Sequence, residues 1–276
     1  METRYVPDAA RYPRLTTDEL RAGYFVQNLF QPGTVQLVYT DLDRAIIGGV
    51  VPTEQKLALE TSKELASNYF AERREIGVIN LGGAGSVIID KQAFTLQTRD
   101  CLYIGRGSKQ IEFTSANRAE PARFYLVSYP AHTVHPTRLA TVADAASVAL
   151  GSQTDANQRV IRKYIHKDGI QSCQLVMGFT ELKDGSIWNT MPPHTHARRS
   201  EIYLYFDVAP DAAVFHFMGS AQQMRHLVVR NGEAVLSPPW SIHCGAGTRH
   251  YCFVWAMGGE NQEFTDMDQL AVRELK

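Results

Sequence analysis

Hydrophobic and polar positions alternate in short runs along most of the chain. After about residue 75 the runs are rich in Val, Ile, Phe and Tyr, and Gly, Asp, Asn and Pro separate them. "EIGVINL", "GSVIID", "DCLYIG", "RFYLVSY", "CQLVMGF", "EIYLYFD", "AAVFHFM", "RHLVVR", "EAVLSP" and "YCFVWAM" each read as a strand. Branched and aromatic side chains suit a pleated surface, and the separators suit turns. Segments at this spacing predict antiparallel sandwiches or barrels. Helical signals are few. "TTDELRAGYFVQNLF" opens with Thr16 and Glu19 at capping-box spacing. "TEQKLALETSKELASNYF" reads as an amphipathic helix or a turn before a strand, and "ATVADAASVAL" at 140–150 is an alanine-rich third candidate. The polar "GSQTDANQR" that follows reads as a linker and puts a domain boundary near residue 155.

The two halves share an internal repeat. From Arg73 the chain reads "RREIGVINLGGAGSVIID", and from Arg198 "RRSEIYLYFDVAPDAAVFHF": a basic pair, a glutamate, a strand, a turn and a second strand. "LQTRDCLYIGRGS" and "VVRNGEAVLSPPWSIHCGAG" continue the parallel. The expectation is an all-β protein with a few short helices, built as two tandem barrels. Residues 1–155 would form the first, with a leading helix, and residues 156–276 the second.

Bulk properties narrow the function. The 276 residues are 44% hydrophobic, ample for a sizeable core. Lys plus Arg number 28 against 29 Asp plus Glu, so nothing offers the basic surface that a phosphate backbone requires, and nucleic acid is not an expected partner. "METRYVPDAARYPR" lacks the apolar run of a signal peptide, and no apolar run approaches the roughly 20 residues of a membrane helix. Cys101, Cys173, Cys244 and Cys252 have no C-x-x-C spacing and read as free, buried thiols of a reducing, cytoplasmic compartment.

The chemistry concentrates in "MPPHTHARRSEIYLYF", Met191 to Phe206. In an extended chain His194 and His196 point the same way and can reach one ion; on a helix they would diverge by about 200°. Pro192 and Pro193 disfavour a helix there in any case. Glu201 lies at an odd offset, which would put it on the opposite face of a continuous strand; the polar "ARRS" can form a turn that resets the register and lets it face the same ion. A third imidazole, His243, follows Gly232 and Pro238 in "NGEAVLSPPWSIHCGAG". Three imidazoles and a carboxylate suit Zn, Fe, Ni, Mn or Cu with open positions for a substrate. Tyr203 and Tyr205 share the parity of Glu201 and can face the same cavity. His216 and His226 sit within strands; His132, His135, His166 and His250 sit near loops. The first half has "LASNYFAERRE" where the repeat would place histidines, which leaves Glu75 without partners and predicts a metal-free barrel.

H-x-H-x(4)-E followed by G-x(5)-P-x(4)-H resembles the paired motifs of the cupin superfamily, with Trp240 in place of the usual second-motif glycine. "SCQLVMGFTELKDGSIWNTMPPHTHARRSEIYLYF", "SPPWSIHCGAGTRHYCFVWAMGGENQEFTDMD" and "YFAERREIGVINLGG" further resemble the 5-keto-4-deoxyuronate isomerase family, the 4-deoxy-L-threo-5-hexosulose-uronate ketol-isomerases, over most of the chain. That resemblance implies a bicupin of uronate and pectin breakdown with one zinc per chain, other divalent first-row metals being possible. Its zinc ligands fall on His194, His196, Glu201 and His243. The implied reaction converts 5-dehydro-4-deoxy-D-glucuronate to 3-deoxy-D-glycero-2,5-hexodiulosonate through a cis-enediolate. Glu201, His216 and Tyr203 are the candidate proton-transfer residues, and Arg199, Arg162 and Lys163 the candidate cations for the substrate carboxylate. The family also implies a homo-oligomer, a hexamer. The rival readings are 5-deoxy-glucuronate isomerase, a cupin dioxygenase, and a cupin that binds a sugar acid without converting it.

Overall fold

A computed structural model describes residues 1–263 and 265–276. The chain forms two compact units: Met1–Arg4, Asn28–Ala146 and Tyr164–Val176 make the first, and Tyr5–Gln27, Ser147–Lys163 and Met177–Lys276 the second. Each is centred on a seven-stranded and a four-stranded sheet. Short strands, many aromatic and branched residues and tight polar turns produce this all-β architecture, as the alternating pattern predicts.

In the first unit the large sheet runs in the order Glu2–Arg4, Val35–Thr40, Ile46–Val50, Phe124–Pro130, Arg74–Asn80, Cys101–Ile104, Arg138–Ala140. The small sheet runs Leu57–Ala58, Ile111–Ser115, Gly85–Ile89, Gln92–Leu96. Ile76, Val78, Leu102, Ile104 and Leu126 of the large sheet pack with Val87, Ile89, Ile111 and Phe113 of the small one in a single apolar core. Side chains alternate along a strand, so Glu75 points away from that core. Its carboxylate accepts the backbone N–H groups of Cys173 (2.6 Å), Gln174 (2.9 Å) and Leu175 (2.9 Å) and the Tyr103 hydroxyl (2.8 Å). A buried carboxylate is tolerated here because its lone pairs are taken.

The second unit repeats the plan. Its large sheet runs Ala146–Leu150, Arg159–Ile165, Val176–Leu182, Cys252–Gly259, Arg199–Phe206, Glu233–Ser237, Phe25–Val26. Its small sheet runs Trp188–Asn189, Ile242–Gly247, Val214–Ser220, Gln223–Val229. The internal repeat is therefore visible as strand order.

Two local expectations change. Thr16 and Glu19 do form a reciprocal capping box and start the helix Thr17–Tyr24. This helix, expected with the amino-terminal barrel, belongs to the second unit: Phe25–Val26 pairs with Glu233–Ser237, Tyr12 donates its hydroxyl to the Met218 carbonyl, and Tyr12 and Tyr24 pack edge-on to Trp240. The segment around residue 60 takes the second of its two readings: after the two-residue strand Leu57–Ala58 it forms the short 3-10 turns Lys63–Leu65 and Phe70–Glu72, ahead of the strand Arg74–Asn80. The alanine-rich stretch gives the 3-10 turn Val142–Asp144 and the exposed strand Ala146–Leu150 rather than a helix, because sheet pairing overrides local propensity. That strand neighbours Arg159–Ile165 in the sheet, so "GSQTDANQR" is the loop joining two paired strands.

No helix among the described residues is long and apolar enough to cross a membrane. All four cysteines are free; three are buried, and Cys173 is half-buried, its thiol against the Thr133 carbonyl.

Candidate metal centre

Four side chains of the second unit converge from three places in the sequence. After Pro192 and Pro193 the chain is extended, and His194–Thr195 pairs with Asp268–Gln269. Ala197 and Arg198 form a turn, closed by the Arg199 N–H on the His196 carbonyl (3.1 Å). This turn resets the alternation, and Glu201 enters the Arg199–Phe206 strand facing the two histidines. Its neighbours across the sheet are Ser237 and Met257. His243 comes from the small sheet, opposite Met218, after a turn in which the Ser241 N–H donates to the Pro238 carbonyl.

The Nε2 atoms of His194 and His196 lie 3.0 Å apart, and those of His194 and His243 3.1 Å. Glu201 Oε2 lies 3.0 Å from His196 Nε2 and 2.8 Å from His243 Nε2. One donor atom from each residue falls within 4.8 Å of all the others. Two atoms bound to one ion at about 2.1 Å are separated by roughly 3.0–3.4 Å at octahedral or tetrahedral angles. Three imidazole nitrogens brought face to face with a carboxylate oxygen thus fit a divalent cation, and a group of three histidines and one glutamate able to hold a metal is present.

The surroundings keep His194 and Glu201 in ligand form. Burial pulls the pKa of His194 down to about 3, with the charges of His243, His196 and Arg199 adding to it. Burial alone would raise the Glu201 carboxyl, but the charge of His243 and the hydrogen bonds from His196 and His243 outweigh it and hold it well below its ordinary value. His196 Nδ1 faces the Asp266 carbonyl at 3.1 Å, the contact that directs Nε2 at the cluster. Arg199 buttresses this arrangement: its guanidinium contacts His196 Nδ1 and donates to Asn261 Oδ1 and to the carbonyls of Glu263 and Asp266.

His194, His196 and Glu201 open on a cavity of about 260 Å³ lined also by Tyr203, Thr190, Thr180, Arg159, Gln269 and a wall of Met, Phe and Trp side chains. Tyr203 is buried, its hydroxyl 3.2 Å from Thr190 Oγ1. Burial, with the Glu201 charge beside it, pushes its pKa well above its ordinary value, so it stays a proton donor.

Other candidate residues lie elsewhere. His216 is fully buried but off the cavity, because its strand turns it toward Tyr205, whose hydroxyl is 2.7 Å from His216 Nδ1. Burial draws its pKa down to about 3. Arg199 is committed behind His196; Arg162, bonded to Ser147, and Lys163 do not line the cavity. Arg198 is in an ion pair with Asp266, and His226 is exposed beside Phe215 and Phe217. Sequence reasoning misses Arg159, Gln269, Thr180 and Thr190. Period-2 spacing of Arg159 and Ile161 is a signal for the first of them; nothing local marks the others.

The sequence profile of the KduI/IolB family matches residues 26–274. The chain is 51% identical over 276 residues, the whole of both proteins, to a 4-deoxy-L-threo-5-hexosulose-uronate ketol-isomerase of Shouchella clausii. It is 48% identical, again over both full lengths, to the protein of the same name from Caldicellulosiruptor bescii. Among solved structures, an IolB-like protein from Salmonella typhimurium LT2 superposes with a TM-score of 0.72 at 13% identity, covering 90% of this chain and 97% of that one. A Lactobacillus farciminis oxalate decarboxylase superposes with a TM-score of 0.57 at 10% identity, covering 90% of each. At these identities the two structures speak to the fold alone.

Proposed function

The chain belongs to the KduI/IolB family, and on that premise we propose that it is an aldose–ketose isomerase converting 5-dehydro-4-deoxy-D-glucuronate to 3-deoxy-D-glycero-2,5-hexodiulosonate. The observation that carries the reading is the buried group of three histidines and a glutamate opening on a cavity, in a chain half identical to named ketol-isomerases over its full length. His194, His196, Glu201 and His243 would hold the ion, for which zinc suffices because the reaction changes no metal oxidation state. A divalent ion held there supplies Lewis acidity toward adjacent carbonyl and hydroxyl oxygens.

The protein's own groups manage the protons. Isomerisation removes the C2 proton and returns one to C1 through an enediolate. Glu201 is the one carboxylate lining the cavity among the described residues; Oε2 is engaged by His196 and His243, which leaves Oε1 to take the proton. Tyr203, kept protonated, donates to the oxygen that gains negative charge. His216 does not touch the substrate in this scheme; it orients Tyr205 behind the site. The apolar wall of Phe253, Trp255, Met257 and Met267 limits water around the enediolate.

The test is incubation of metal-loaded protein with freshly generated 5-keto-4-deoxyuronate in D2O, followed by proton NMR. Chelator-sensitive conversion, with deuterium in the new hydroxymethyl group, is expected. Absence of conversion by metal-replete protein would sink the reading. Tyr203→Phe should lower kcat about 10²-fold with metal content unchanged. The same assay with 5-deoxy-glucuronate separates the family's two branches, and full-length identity to the ketol-isomerases favours the first substrate. A cytoplasmic homo-oligomer, a hexamer by family resemblance, completes the proposal, and sedimentation checks its size.

A further inference from the structure

Arg159 stands at the start of the strand Arg159–Ile165 and lines the same cavity as His194, His196 and Glu201. Among the lining residues it is the only one with a permanent positive charge. Nη1 donates to the Asn157 carbonyl at 2.9 Å, which fixes the end of the side chain. Among the described residues no carboxylate pairs with it. Arg159 is half-buried, and burial lowers its pKa. Tyr203 and Tyr251, whose hydroxyls burial keeps protonated, bring it no negative charge, so this guanidinium faces a mostly apolar cavity without a counter-charge. Even partial burial of a cation without a counter-charge is costly, which favours an anion in a cavity that imposes it.

The geometry points to Arg159 as the residue that receives the substrate's C6 carboxylate and so fixes which end of the sugar acid faces the histidine–glutamate group. The inference rests on the isomerase reading for the identity of the ligand. A guanidinium presents paired N–H donors that match a carboxylate in its plane, and Nε and Nη2 remain available once Nη1 has met Asn157. Tyr203 lines the cavity together with Arg159, and its ring lies 5.5 Å from that of His243. A ligand anchored by its carboxylate at Arg159 therefore runs past Tyr203 toward the three imidazoles. Arg159 is a specificity-determining residue in this account, not one that moves a proton.

The experiment compares wild type, Arg159→Lys and Arg159→Met, each with its bound metal quantified. Binding by calorimetry and turnover are both measured for 5-keto-4-deoxyuronate and its C6 methyl ester. Expected for Arg159→Met is unchanged metal content, a KM for the uronate raised about 100-fold with a smaller change in kcat, and little change for the ester. Arg159→Lys, which keeps the charge but loses the planar fork, should fall between. A KM within about threefold of wild type, or equal losses for uronate and ester, would overturn the assignment. Wild-type protein that binds the uronate without converting it overturns the isomerase reading alone, since the affinity lost in Arg159→Met still reports on the carboxylate. Wild-type protein that binds neither compound overturns both.

Discussion

The two units lay out the same strands in the same order, yet one is filled with hydrocarbon and the other with ionisable groups. Pairing registers allow a position-by-position comparison. Val87 and Ile89 of the first unit stand where the second has His216 and Met218, and Ile111 and Phe113 stand where it has His243 and Gly245. In the large sheet, Ile76 pairs with Ile104 and Val78 with Leu102, where Glu201 pairs with Ser237 and Tyr203 with Val235. Glu201 thus corresponds to Ile76; the glutamate of the first repeat, Glu75, lies one residue out of register and faces the other side of the sheet. The fold needs no metal group to close over its core, and the residues of that group are an addition supported by burial, turns and Arg199.

The comparison is broken most sharply by removing a donor. Glu201→Gln or His243→Ala should lower metal affinity by more than ~100-fold, the upper range for loss of a mere outer partner, and turnover with it. Metal analysis after dialysis together with the NMR assay checks this, and retained stoichiometric metal would refute the proposed ligand set. Glu75→Ala addresses the first unit instead. It strands three backbone donors and the Tyr103 hydroxyl. A loss of about 3–5 kcal/mol in denaturant stability is expected with metal binding intact. An equal loss of metal would show that the two glutamates are not separable.

His216→Val copies the first unit's Val87 and tests the pH response. The folded-state pKa of His216 is depressed from 6.5 to about 3, so below pH 6.5 the unfolded chain takes up a proton that the folded one refuses. This contribution to stability is fully present above pH 6.5 and is lost as pH falls toward 3, by up to about 1.4 kcal/mol per pH unit. Denaturation midpoints at about pH 7, 5.5 and 4.5 should therefore fall less steeply in the variant; an unchanged slope would remove His216 as the source. The smallest effect expected is from Thr16→Ala, about 1 kcal/mol from loss of the helix cap. Hydrogen exchange should quicken in the strands Phe25–Val26 and Glu233–Ser237 of the second unit and stay unchanged in Arg74–Asn80 of the first. Faster exchange in Arg74–Asn80 as well would mean that the helix supports both units.

Much of this protein is legible in the chain itself. Alternating Val, Ile, Phe and Tyr between turn residues determines an all-β fold, because the pleat period is a local property. The H-x-H spacing after two prolines, and Thr16 with Glu19, likewise act over a few residues: the first brings two imidazoles into one group able to hold a metal, and the second starts a helix. What only tertiary structure decided depends on contacts distant in sequence. The helix Thr17–Tyr24 joins the second unit because it and the residues flanking it, Tyr12 and Phe25–Val26, find their partners, Met218, Trp240 and Glu233–Ser237, some 200 residues away. "ATVADAASVAL" becomes an edge strand because a paired neighbour outweighs alanine's helical preference. The reach of Arg159 into the cavity, the diversion of His216 to Tyr205 and the one-residue offset of Glu75 are matters of side-chain direction and register. Those are set when sheets pair and pack, and no local pattern carries them.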